Sequence, residues 1–329
     1  MLTRNEIIGW LEAEDPAELY QQADHLRQQQ VGDAVFFRGI IEFSNHCSER
    51  CAYCGISALN HKVQRYRMPV EEVVELALKI DAMGIHTVVL QSGEDPHFST
   101  AEMLEVIAGI RAHTTMAITL SMGELPEGEF RELRKAGADR YLMRFETSDP
   151  DLFAELHNGH QLTTRLEQIE RIRAAGFQLG SGFLIGLPGQ SLSMLADDIL
   201  LTARLQPPMI GVGPFISHPE TPLVNSGAGN LELALRVVAL LRLTNPTAHI
   251  PGTTALDALA PNAREQALQA GANIVMPNFT PAGYREHYFL YPGKPLASAV
   301  AVESYAAMKE RVSAINRSIG EGRGDALPL

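Results

Sequence analysis

Along the chain one pattern of apolar and polar positions repeats: a short, β-rich apolar run ends in polar residues or glycine, and a helical segment follows. The runs are Ile40–Ser44, Thr87–Gln91, Ala117–Ser121, Arg140–Arg144, Leu179–Ile185, Met209–Pro214, His249–Thr253 and Asn273–Pro277. The helical segments between them include Val70–Met83, Ala101–Ala112, Pro126–Ala136, Thr163–Ala175, Ser193–Leu205, Leu231–Leu243 and Pro261–Ala270. Several end in Ala-Gly or Met-Gly, at Gly84, Gly137, Gly176 and Gly271, where glycine permits the left-handed turn that stops a helix. Eight strand–helix alternations without a low-complexity break predict an α/β fold, a complete (βα)8 TIM-type barrel over residues 36–315. Residues 1–35 read as two helices. Asp15-Pro-Ala-Glu supplies an N-cap with Pro at the first helical position, and Leu19, Ala23 and Leu26 share one face. This N-terminal helical extension is expected to plug or clamp one barrel end. Residues 316–329, including Gly320-Glu-Gly-Arg-Gly-Asp, are expected to form a flexible C-terminal tail.

In such a barrel the chemistry sits at the carboxyl ends of the strands. That rule selects the cysteine-bearing loop after the first strand, Gln91-Ser-Gly-Glu-Asp95 after the second, and Thr119-Leu-Ser-Met-Gly-Glu at the third. It also selects Arg144-Phe-Glu146-Thr at the fourth, Ile185-Gly-Leu-Pro-Gly-Gln at the fifth and Gly213-Pro-Phe-Ile-Ser-His-Pro at the sixth. Gly252-Thr-Thr-Ala and Met276-Pro-Asn-Phe-Thr-Pro close the last two.

Composition narrows the partners more than the fold. A net charge of −12 leaves no overall basic footprint for nucleic acid or an anionic membrane. The stretch Met1-Leu-Thr-Arg-Asn-Glu lacks a signal peptide's apolar core, and no apolar run is long enough to cross a bilayer. The three cysteines, an odd and clustered set, argue against a disulfide framework and for a reducing, cytoplasmic setting.

All three lie in Cys47-Ser-Glu-Arg-Cys51-Ala-Tyr-Cys54, spaced C-x3-C-x2-C. Buried thiols can act as small hydrophobes. Zinc would want a fourth Cys or His at regular spacing, and His46 adjoins Cys47. Three thiolates on one short loop can instead hold three irons of a [4Fe–4S] cube and leave the fourth iron open. Tyr53 can be a core aromatic or can cover a flat ligand beside the cluster.

This spacing, with an aromatic before the third Cys, resembles the radical S-adenosylmethionine (SAM) superfamily, whose open iron chelates SAM and whose cluster cleaves it to a 5′-deoxyadenosyl radical. Nearly the whole chain is similar to the HydE family of [FeFe]-hydrogenase maturases in the biotin synthase-like subgroup. The likeness rests on Ile41-Glu-Phe-Ser-Asn, Tyr66-Arg-Met, Val89-Leu-Gln-Ser-Gly-Glu-Asp-Pro96, Gly186-Leu-Pro-Gly-Gln, Gly211-Val-Gly-Pro-Phe-Ile-Ser-His-Pro, Pro251-Gly-Thr-Thr-Ala, Met276-Pro-Asn and Tyr291-Pro-Gly-Lys. The resemblance implies that Cys47, Cys51 and Cys54 ligate the cluster. Gln91, Ser92, Gly93, Glu94, Glu146 and Arg165 would handle SAM, with Tyr53 and Ile185 completing its site. Thr119, Arg144, Met209, Thr253, Thr254, Met276, Tyr288 and Tyr291 would line the substrate cavity, with Arg144, Tyr288 and Tyr291 in catalytic roles. The implied reaction is attack of the adenosyl radical on the sulfur of a cysteine-bound Fe(CO)2(CN) precursor. Its partners would be a flavodoxin- or ferredoxin-type one-electron reductant and other hydrogenase maturases.

Blander readings exist for the same residues. Glu146 and Arg165 can be an ordinary ion pair, which contributes little at a surface. Arg144 faces the barrel by alternation, and a buried arginine needs an anion: a carboxylate or other anionic substrate, or a structural salt bridge. The threonines suit strands anyway, and Met209 and Met276 can be core filler. His61, His86, His97, His113, His157 and His160 are scattered and read as surface or packing residues. The chain departs from the family in two ways: it has no further cysteines for a second cluster, and Phe145 stands where His is expected. It resembles less closely the pyrrolysine-pathway lysine mutase that makes 3-methylornithine. An amino-acid mutase on lysine and a non-catalytic iron-delivery scaffold are therefore the competing functions.

Overall fold

A computed structural model describes residues 2–126, 128–292 and 301–326. The chain opens with α1 (Arg4–Glu12), started by a reciprocal cap between Thr3 and Glu6, and α2 (Ala17–Val31). In α2 the helix begins one residue later than expected, and the Asp15 carboxylate accepts the Ala17 N–H at 2.9 Å. The extension is not purely helical, because β1 (Ala34–Phe37) crosses its expected boundary.

The repeat then runs β2 (Gly39–Ser44), α3 (Val70–Ala82), β3 (Thr87–Ser92), α4 (Thr100–Arg111), β4 (Ala117–Ser121), α5 (Glu129–Ala136) and β5 (Arg140–Leu142). It continues with α6 (Pro150–Leu156), α7 (Leu162–Ala174), β6 (Gln178–Ser181), β7 (Leu184–Ile185), α8 (Leu192–Leu205), β8 (Met209–Ile210) and β9 (Gly213–Pro214). The last elements are α9 (Leu231–Thr244), α10 (Thr254–Asp257), α11 (Ala263–Gln269), β10 (Ile274–Val275), α12 (Ala282–Arg285), α13 (Ala301–Ala314) and β11 (Ser318–Ile319).

A six-stranded parallel sheet runs β2-β3-β4-β5-β6-β8. Single parallel bridges continue it: Met209 with His249, Pro251 with Ile274, and Ile40 with Asn278, which returns to β2. The circuit therefore has the eightfold order expected of the barrel, but its seventh position is carried by bridges rather than a strand. The expected fifth and sixth strands are each split, into β6 with β7 and β8 with β9. A side chain on Gly182 would meet the Gly211 carbonyl oxygen at 2.2 Å, so the two backbones cross too closely for regular pairing. The fourth strand stops at Leu142, short of Arg144. β1 pairs on one side with β10 and on the other with β11, a small sheet with no counterpart in the expected pattern.

Helices α1 and α2 pack against α8 and α9, the extension's contact with the barrel. Residues expected to be a flexible tail instead fold back on the amino end of the barrel strands. β11 joins β1, the fully buried Arg140 donates to the Arg323 and Gly324 carbonyls and to Asp325, and Arg323 pairs with Asp139. A buried guanidinium needs such acceptors, and the Gly-rich segment supplies them from its backbone. Residues 327–329, and Gly293 and Lys294 of the Tyr291-Pro-Gly-Lys motif, lie outside the described residues. Among the described residues, no helix is long and apolar enough to cross a membrane.

Candidate active site

The loop after β2 is irregular from Asn45 to Arg65, and two side chains shape it. Asn45 donates to the carbonyls of Gln64 and His287 and accepts the Tyr66 N–H. Arg65 donates to carbonyls of Asn45, Ile56, Ser57 and Asn60. A loop without strand or helix must satisfy its carbonyls in this way. The result sets Cys47, Cys51 and Cys54, all free thiols, along one cavity. Burial raises all three, Cys54 to about 12, and the nearness of the other sulfurs adds to the rise at Cys51 and Cys54. Among the described residues, no three His, Cys, Asp or Glu side chains converge on a single metal ion.

Tyr53 lies between the last two cysteines. Its hydroxyl is 3.0 Å from His157 Nε2, while His157 Nδ1 is 2.8 Å from the Phe153 carbonyl. A carbonyl only accepts, so Nδ1 carries the proton and Nε2 accepts from Tyr53. Burial keeps this imidazole neutral, with its pKa lowered to about 4. His157 is thus a packing residue, as read from sequence, but one that orients the aromatic beside the cysteines.

The next loop locks onto the first. The Ser48 N–H donates to the Glu94 carbonyl at 2.9 Å. A side chain on Gly93 would meet the His46 carbonyl oxygen at 2.3 Å and Cys47 Cβ at 2.7 Å. Glu94 is half-buried, and the loss of solvent pushes its carboxyl up to about 7, opposed by Arg165 at 4.0 Å. Arg165 itself donates to Glu124 at 2.6 Å and to the Arg144 carbonyl at 3.1 Å. Glu124, at the end of the third-strand loop, was missed as a site residue although its loop had been selected by position. Glu146 pairs with Arg144 at 3.1 Å. It is a non-glycine residue at φ +64, and its Oε2 is buried with no hydrogen-bond partner.

The three cysteines, Glu94, Glu146 and Arg165 line one cavity of about 350 Å³ at the carboxyl end of the barrel strands, with Tyr53, Gln91, Ser92 and Gly93. Its other wall holds Arg144, Thr253, Thr254, Met276, Tyr288 and Tyr291. Gln91 donates to the Tyr288 hydroxyl at 3.3 Å, and the Thr254 and Tyr291 hydroxyls are 3.0 Å apart. Thr253 Oγ1 is buried without a partner. Glu42 and Ser121 also line the cavity and were not singled out from sequence; strand alternation places both inward.

Three expected residues are not in the lining. Met209 opens β8, and its sulfur lies 3.0 Å from an Arg38 nitrogen at the amino end. Gly211, which does line the cavity, is two residues further on, roughly 7 Å along an extended chain. Thr119 lies two residues before Ser121 and is buried beneath the cavity floor's lining, its Oγ1 unpaired. Ile185 is buried in β7, where its carbonyl accepts the Phe215 N–H.

The superfamily profile "Radical SAM superfamily" matches residues 41–202, the segment that carries the cysteines, the Gln91–Glu94 loop, Glu146 and Arg165. The [FeFe] hydrogenase maturase subunit HydE of Thermotoga maritima is 44% identical over 276 residues, 84% of this chain and 79% of that protein. This chain belongs to the radical SAM superfamily, in the HydE family of hydrogenase maturases. It is accordingly a radical SAM enzyme of hydrogenase maturation. The 3-methylornithine synthase of Methanosarcina acetivorans is 28% identical, over 80% of this chain and 75% of that protein. The crystal structure of a methylornithine synthase, PylB, superposes with a TM-score of 0.82 at 23% identity, covering 98% of this chain and 95% of that one. That likeness supports the radical SAM barrel fold of this maturase.

Proposed function

We propose that this maturase binds a [4Fe–4S] cluster through Cys47, Cys51 and Cys54 and SAM beside it, and directs an adenosyl radical to the sulfur of a cysteine-bound Fe(CO)2(CN) precursor of the hydrogenase active site. The identity to the Thermotoga maritima maturase over most of both chains carries this reading. The donor set fits the cluster: three neighbouring thiols on one loop suit one iron per sulfur better than one shared ion. The unpartnered Oε2 of Glu146 and the partly desolvated Glu94 fit the hydroxyl and ammonium donors of SAM. When bound, cluster and cofactor supply an electron and, on cleavage of SAM, a carbon-centred radical.

The remaining work falls to this chain's own residues. Arg165, anchored on Glu124, sets the position of Glu94 and grips a carboxylate. Tyr53, held by His157, covers the flat face of the ligand. Arg144 presents its guanidinium to an anionic substrate, and Thr253, Thr254, Tyr288 and Tyr291 offer hydroxyls to its polar groups. Phe145 is fully buried and tilts against Phe183 at 5.7 Å, so the position beside Arg144 is apolar. A flavodoxin- or ferredoxin-type protein would deliver the electron, the cytoplasm is the expected setting, and other maturases would exchange substrate and product.

The test is to incubate the anaerobically reconstituted, reduced enzyme with SAM and either the organometallic precursor or lysine. The reading expects SAM to be consumed and an adenosyl–sulfur product to form with the precursor alone. A rearranged lysine would sink it in favour of a mutase. No SAM cleavage under any reducing condition would leave only an iron-delivery scaffold.

A further inference from the structure

Behind the cavity, on the α8 side, a buried carboxylate joins two loops that the proposed chemistry uses but does not explain. Asp198 on α8 is fully buried. One of its oxygens accepts the Ser148 N–H, two residues after Glu146. The other accepts Gln190 Nε2–H at 2.8 Å. Gln190 also donates to the Leu184 carbonyl at 3.1 Å, and its Oε1 accepts the N–H groups of Gly186 and Leu187 at 2.7 and 3.2 Å. The Leu184 N–H in turn donates to the Glu146 carbonyl at 3.0 Å, which closes a ring of bonds. Every polar atom of both side chains has a defined role. Neither side chain lines the cavity, yet Glu146 and Leu184, which do, are both held through it.

We propose that Asp198 is a positioning residue that, through Gln190 and Ser148, fixes the carboxyl ends of the fourth and fifth strands where the nucleoside half of SAM binds. The inference rests on the SAM reading above and goes beyond it by assigning that half-site a support made by two residues outside the lining. The chemistry is specific to a carboxylate. Both partners of Asp198 are donors, so both of its oxygens must accept. Asparagine has the same shape but one acceptor, so in either amide orientation it faces one N–H with another.

The test uses the reconstituted holoenzyme and S-adenosylhomocysteine, an unreactive SAM analogue, in anaerobic calorimetry. Asp198→Asn is expected to keep its iron and its circular dichroism and to bind the analogue about tenfold more weakly, the scale of one lost hydrogen bond. SAM cleavage should show a raised KM with kcat kept. The pair Asp198→Asn with Gln190→Glu reverses donor and acceptor across the 2.8 Å bond and is expected to recover part of the affinity. Wild-type affinity in Asp198→Asn overturns the proposal. So does a loss with lowered kcat and depleted iron that the paired variant does not recover, which marks a merely structural role. If the unaltered holoenzyme fails to bind the analogue, the SAM reading itself falls and this inference with it.

Discussion

Gly93 is where the second strand's loop presses on the cysteine loop, and adding one methyl group there tests the arrangement. In Gly93→Ala the new Cβ would stand 2.3 Å from the His46 carbonyl oxygen and 2.7 Å from Cys47 Cβ, against ordinary contacts of 3.4–4 Å. One obstacle is backbone and the other is the root of a thiol-bearing side chain, so neither can swing aside. Relief requires the loops to part by roughly 1 Å, and overpacking of this kind costs about 1–3 kcal/mol. The displaced atom belongs to Cys47, so the expected effect is larger on iron than on folding. Reconstituted Gly93→Ala should hold less than half the wild-type iron by colorimetric assay and show a weakened cluster signal by electron paramagnetic resonance. Gly84→Ala is the control. It stands at φ +83 with nothing within 4 Å, so it carries only left-handed strain of about 1–2 kcal/mol and should load iron normally. If Gly93→Ala loads iron and cleaves SAM like the wild type, the two loops do not meet as described and the reasoning fails.

Cys51→Ala is expected to abolish SAM cleavage, and retained turnover would refute its assignment as a cluster ligand. Asp198 carries a signed pH dependence: burial raises its carboxyl from 3.8 to about 6, so the folded state holds the proton more tightly than the unfolded chain. Its contribution to stability is full below about pH 4 and lost as pH rises to about 6, by roughly 3 kcal/mol at 1.36 kcal/mol per unit. Urea titrations of wild type and Asp198→Asn at several pH values should show the gap between them changing in that window, and parallel curves would contradict it. Asp325→Asn removes the charged partner of the fully buried Arg140, but Asp325 is 41% exposed, so solvent screening reduces the loss to about 1–2 kcal/mol. An unchanged denaturation midpoint would mean that the C-terminal segment does not neutralise this arginine.

The cysteine triad, the repeating strand–helix pattern and the loops at the strand ends were legible without a structure, because each is written in neighbouring residues. Hydrophobic periodicity reports which face of a segment is buried, and the position of a loop after its strand reports which barrel end it joins. Sixteen of the nineteen site residues named from sequence line one cavity on that basis. Depth along a strand was not legible: Met209 and Thr119 point inward but lie too near the amino end, because alternation gives the face and not the layer. The split of the fifth and sixth strands was hidden as well, since it comes from the close crossing of Gly182 with Gly211, residues 29 positions apart.

Long-range polar pairing was the other thing that only the folded chain decided. Asp198 follows the half-buried Asp197, which pairs with Arg4, and nothing nearby in sequence tells that Asp198 instead meets Ser148, fifty residues earlier. The Gly-rich terminus reads as mobile because its own residues bury little. It is instead held at the barrel by Arg140, whose burial creates a demand for acceptors that local sequence cannot display. Local pattern thus determined the elements and the chemistry they carry, while the packing of distant segments determined where each polar group finds its partner.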